Sequence, residues 1–68
     1  MSLSIRNQIP GTVVDVAAGA AMASVKVDVN GGGLTAAITA DAAKDLGLAA
    51  GTSVVALIKA TEVSLAVA

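Results

Sequence analysis

Sixty-eight residues make one small domain, 56% hydrophobic yet without a single Phe, Trp, Tyr, Cys or His. Its formal charge is −1, with Arg6, Lys26, Lys44 and Lys59 dispersed among five acids, so there is no basic patch and no stacking aromatic for nucleic acid. The missing His and Cys remove the common general base, the strongest nucleophile, any disulfide and the usual zinc site, which argues against an enzyme.

The chain opens on Ser4-Ile5-Arg6-Asn7-Gln8, which packs a hydroxyl, the lone arginine and two carboxamides into five positions. Pro10-Gly11 reads as a break before a first strand, Thr12–Val16. Gly19 marks a turn of small residues. The clearest alternation follows, with Ala23, Val25, Val27 and Val29 on one face and Met22, Ser24, Lys26 and Asp28 on the other, a half-buried antiparallel strand. Asn30-Gly31-Gly32-Gly33 supplies the positive φ that a hairpin turn needs; it lacks the lysine and following helix of a phosphate-binding loop. Leu34–Ile38 is the returning strand.

Thr39 is a good helix N-cap, Asp41 suits the first turn, and Gly47 suits the C-terminal stop, so 40–46 is expected as a helix of about two turns. Gly51 opens a fourth strand, Thr52–Lys59, whose run Val54-Val55-Ala56-Leu57-Ile58 is apolar on both faces. Glu62–Val67 alternates again and is expected as a fifth strand. Five strands with one short helix between the third and fourth predict a mainly β fold, a five-stranded OB-like small barrel, as a single domain over 1–68.

A domain of this size hides only about 60% of its unfolded surface and usually needs a staple. With neither disulfide nor zinc available, oligomerisation is the staple left. No run approaches the ~18 apolar residues of a spanning helix. Met1-Ser2-Leu3-Ser4-Ile5-Arg6 lacks the basic-then-apolar order of a signal peptide. A soluble, cytoplasmic protein is expected, with no membrane partner.

Asp15, Asp28, Asp41, Asp45 and Glu62 fall singly, with no pairing that suits acid–base work or an oxygen-only metal site. Donors are better supplied. Arg6 carries a planar fork of N–H groups that stays charged, Lys59 a mobile ammonium near a strand end, and Ser4 and Thr39 hydroxyls. The helix start, Thr39 to Ala42, adds backbone N–H groups and the positive end of a dipole. Brought together, they would make a pocket for a tetrahedral dianion such as molybdate. Taken one at a time, each has a plainer role: a solvated terminus, a charge that discourages edge pairing, a helix cap.

The opening Ser4-Ile5-Arg6-Asn7-Gln8 with Gly11 resembles the S-A-R-N-Q-x-x-G start of the molbindins, the small Mop proteins that bind molybdate and tungstate. Ile38-Thr39-Ala40, Leu46-Gly47-Leu48 with Gly51, and Leu57-Ile58-Lys59-Ala60-Thr61 resemble that family's middle and closing segments in the same order and spacing. The resemblance implies a hexamer, a trimer of dimers, with oxyanions held between subunits. It assigns Ser4, Arg6, Lys59 and the backbone N–H of Ala60 to one subunit, and Thr39 and the helix start at Ala42 to a neighbour. Some relatives carry serine at position 42, so Ala42 gives only its backbone N–H; Ile5 replaces the common alanine and touches no donor. The family also has a second class of site, on the threefold axes, which the sequence does not locate; the turn at Gly19 and Ala20 is one place to look.

The chemistry is consistent with that expectation. A cage made only of donors saturates a fully ionised oxyanion, whereas a protonated phosphate turns a hydrogen toward a donor and leaves it unpaired. Sulfate must be told apart by size, and tungstate should bind as molybdate does. The expected function is intracellular binding and storage or homeostasis of molybdate or tungstate, as ligand rather than cofactor. The alternative is an oligomeric structural or regulatory interaction module whose anion site has weakened.

Overall fold

In the computed structural model, which describes residues 3–68, the chain forms β1 (Asn7–Ala18), β2 (Met22–Val29), β3 (Gly32–Thr39), α1 (Ala40–Asp45) and β4 (Ser53–Ile58), then a 3-10 turn, Ala60–Glu62. The expectation about a signal sequence falls partly on Met1 and Ser2, outside the described residues. All strand pairs are antiparallel and the sheet order is β3-β2-β1-β4.

The alternation in Met22–Val29 does what its period requires. Ala23, Val25 and Val27 are buried and Lys26 and Asp28 exposed. With Val13 and Ala43 they make the buried core of the described residues, flanked by half-buried Val16, Leu34, Ala36, Ile38, Leu48 and Val54. All of these are small or medium aliphatic side chains, so the core gains little area per residue.

Two expectations are corrected. The chain does not close into a five-stranded OB-like barrel. It is a four-stranded sheet with open edges at β3 and β4, and α1 follows β3 as anticipated. Residues 62–67 form no strand: Glu62 ends the 3-10 turn and the residues after it have no regular structure, with Leu65 94% and Val67 102% exposed. Alternation specifies which face of a strand is apolar; a strand also needs a neighbour, and the segment pairs with neither open edge of the sheet.

The second correction concerns Pro10-Gly11, which is no break. β1 runs straight through both residues. Asn7–Pro10 pair only with β4, and pairing with β2 begins at Gly11↔Val29, so Pro10 sits where one side of the strand has no ladder to interrupt. Gly11 is required by proximity. A Cβ there would lie 2.7 Å from both the Asp28 carbonyl oxygen and Val27 Cγ1, and 2.9 Å from Val29 Cγ1. Beyond it, Val13 pairs with Val27 and Asp15 with Lys26, leaving Val14 as the extra residue of a β-bulge.

The turns follow their residues. Asn30-Gly31 joins β2 to β3 with Gly31 at φ +93°, a conformation glycine adopts without strain. Thr39 caps α1, accepting the Ala42 N–H on Oγ1 at 3.1 Å, and Gly47 follows the helix at φ +64°. Thr52 Oγ1 accepts the Ala49 N–H at 3.1 Å, and Gly51 donates its N–H to the Val13 carbonyl at 2.7 Å, fixing where β4 begins.

Candidate oxyanion site

The last β1–β4 pair is Asn7↔Ile58, so the next residues outward, Arg6 and Lys59, leave the sheet side by side. That juxtaposition is held by a side chain. Asn7 Nδ2 donates to the Ile58 carbonyl at 3.0 Å, tying the start of β1 to the end of β4 directly behind the two cations. Gln8 Nε2 donates to the Ile5 carbonyl at 3.1 Å and folds the backbone on the other side of Arg6. Ser4 and Arg6 are exposed while Ile5 is half-buried, so the segment is anchored through Ile5 with its donors facing outward. The two carboxamides thus hold the segment in place.

Lys59 and Ala60 are exposed at the 3-10 turn. The Lys59 carbonyl accepts the Glu62 N–H at 2.9 Å, which sets the direction in which the backbone leaves β4. Ser4, Arg6, Lys59 and Ala60 therefore gather at one end of the sheet.

Thr39 and Ala42 are elsewhere. Thr39 pairs with Met22, and Ala23 with both Ile38 and Ala18, so the helix start lies at the far end of β1 from Arg6. Two of its first-turn amides are already used: Ala40 donates to the Ala21 carbonyl at 2.8 Å and Ala42 to Thr39 Oγ1 at 3.1 Å. The Ala42 N–H, expected as an oxyanion donor, thus has a partner within its own chain. Accepting that bond points an oxygen lone pair of Thr39 inward and leaves its O–H to donate outward. Nothing in the sequence could have revealed the Ala21 contact, because it depends on the Met22↔Thr39 register. The turn at Gly19 and Ala20 is exposed, and the Gly19 N–H is spent on the Met22 carbonyl at 2.8 Å.

None of the six candidate residues lines either concavity of the sheet. One concavity is a polar groove beside the Asn30-Gly31 turn, lined in part by Asp28, whose charge repels an anion. The other is an apolar trough between β3 and β4. Among the described residues no group of three or more His, Cys, Asp or Glu could hold a metal ion, and no helix is long and apolar enough to cross a membrane. The candidate donors are thus divided between the two ends of β1.

Residues 3–65 match the family model of the TOBE domain. "Molybdenum-pterin-binding protein 3" of Clostridium pasteurianum is 42% identical over 66 residues, spanning 96% of this chain and 97% of that protein. The chain belongs to the molbindin family of TOBE domains. Among solved structures, the molybdate-binding protein from Sporomusa ovata superposes on this molbindin chain with a TM-score of 0.92 at 42% identity, over 97% of this chain and 98% of the other. The cytoplasmic molybdate-binding protein ModG, in a crystal form with molybdate bound, gives a TM-score of 0.86 at 40% identity. There the match takes in 91% of this molbindin chain and 45% of ModG, so the chain spans about half of that protein. These relatives are described as binding proteins, none as an enzyme.

Proposed function

We infer that this chain binds molybdate, and tungstate with it, in the cytoplasm, as a non-catalytic protein that stores the oxyanion or holds its free level steady. The observation that carries this is the agreement over 97% of its length with a solved molybdate-binding protein. The donor chemistry supports the same reading, since Arg6 and Lys59 both flank the last β1–β4 pair, at one end of the sheet.

The site is shared. Ser4, Arg6, Lys59 and the Ala60 N–H come from one subunit, and the Thr39 hydroxyl and the helix start at Ala42 from a neighbour. That division is supported by the register, which leaves the two groups at opposite ends of β1. It is also supported by the lining of the two concavities described above, neither of which contains either group. Because the Ala42 N–H is bonded to Thr39, the neighbour's contribution is carried chiefly by the Thr39 O–H. The assembly that brings such ends together is a hexamer, built as a trimer of dimers.

Equilibrium dialysis against molybdate at micromolar concentration tests the function. Uptake in fixed proportion to subunits is the expected result, with tungstate competing and phosphate failing to compete; no uptake by the assembled protein would refute it.

A further inference from the structure

The glycine-rich turn Asn30-Gly31-Gly32-Gly33 takes no part in the oxyanion site, and its residues have a chemistry of their own. Asn30 and Gly31 are the two loop residues between β2, which ends at Val29, and β3, which starts at Gly32. Both are exposed, and among the described residues the Asn30 carboxamide has no hydrogen-bond partner. Nothing lies within 4 Å of where a Cβ on Gly31 or Gly32 would stand, so no neighbour packs against the loop there. Gly31, at φ +93°, has no side chain to hinder approach to its own backbone nitrogen. A labile, unshielded carboxamide thus stands next to an unhindered backbone amide, in a segment free to bend. Asn7, the only other asparagine in the chain, is the opposite case. It is half-buried in β1, is followed by Gln8, and its carboxamide donates to the Ile58 carbonyl at 3.0 Å.

We propose that Asn30 is a self-modifying site, where the Gly31 backbone nitrogen closes onto the Asn30 side chain and the chain converts its own asparagine to an acid. In the first step the Gly31 nitrogen bonds to Asn30 Cγ and gives up its proton. The Cγ–Nδ2 bond breaks, and ammonia leaves carrying that proton. Water then opens the cyclic imide. Opening at one carbonyl gives aspartate; opening at the other gives isoaspartate, whose main chain runs through the side-chain carbon. Nothing is oxidised or reduced. Either product puts a carboxylate where an amide stood, adding one negative charge to a chain whose formal charge is −1. The new charge joins Asp28 on the polar groove that both residues line, which thereby gains a second carboxylate. Isoaspartate also lengthens the loop backbone by one atom, next to the Val29↔Gly32 pair that closes the hairpin. Hairpin register is set by loop length and turn type, so the extra atom loosens that end of β2 and β3. Because no enzyme is needed and the product accumulates with time, the modification marks the age of each copy.

The test keeps the full-length protein in mildly alkaline buffer and samples it over days. Peptide mapping by mass spectrometry should show the amide-to-acid mass shift in the peptide carrying Asn30, with ammonia released, and none in the peptide carrying Asn7. A protease that cuts at aspartate but not at isoaspartate separates the two products, and both are expected. Asn30→Gln, whose extra methylene demands a larger ring, should gain no acidic species on isoelectric focusing. An Asn30 that stays intact, or that converts no faster than Asn7, overturns the proposal. Conversion to aspartate alone overturns the imide route, and an acidic species from Asn30→Gln places the chemistry elsewhere. Hydrogen exchange at Val29 and Gly32 should be faster in the isoaspartate form than in the parent; equal exchange would overturn the loosening of the hairpin.

Discussion

Arg6 is the residue on which most of the proposed binding turns. It is exposed, lies outside the core and is placed by its neighbours, so Arg6→Ala should leave the fold intact. Losing charged hydrogen bonds to an oxyanion costs about 1.5–3 kcal/mol, or roughly 10- to 100-fold in affinity, measurable by calorimetry alongside an unchanged melting curve. Thr39 gives a different signature because it has two duties. Thr39→Val removes both the helix cap, at about 1 kcal/mol, and the outward hydroxyl, so melting temperature and molybdate affinity should fall together. Thr39→Ser should restore both. A loss of stability with affinity unchanged would confine Thr39 to capping.

At the scale of elements, β1 and β2 approach each other at Gly11 too closely for a Cβ, and Gly11→Ala tests this. The added methyl meets a backbone carbonyl as well as two valine side chains, so no rotamer change relieves it. Destabilisation of about 1–3 kcal/mol is expected by denaturant titration, against little effect from Gly32→Ala, where nothing lies within 4 Å. This is also where the sequence was hardest to read. Pro10-Gly11 carries the composition of a turn, and only the distance to Val27 and Asp28 on another strand explains the glycine. By contrast, β2, the Asn30-Gly31 turn and the Thr39-capped helix were legible in advance, since each rests on side-chain period, φ preference or capping within a few residues. Asn7 and Gln8 could be seen as polar, but their partners, Ile58 51 residues away and Ile5 three back, came only with the fold.

Whole-molecule properties were legible in one direction only. Composition indicated that 68 residues without aromatics, cysteine or histidine are short of core, and the buried set of valines and alanines bears that out. It could not indicate that the last alternating segment lies outside the sheet, because alternation does not say which strand, if any, a segment pairs with. The missing stabilisation should therefore come from association. The melting temperature is expected to rise with protein concentration, and native mass spectrometry should give six subunits whose complex gains molybdate in whole numbers; a concentration-independent monomer would contradict the assembly.

For the shared site proposed above, the separation of Arg6 and Lys59 from Thr39 along β1 would have a consequence for the cell as well. A pocket whose walls belong to different molecules has no capacity until enough copies have met. Storage then rises more steeply than copy number at low expression, and only later in proportion to it. A cell making a little of this protein would hold almost no reserve, and one making severalfold more would hold a full one. The amount synthesised would act as the valve, without any dedicated device for opening or closing the site.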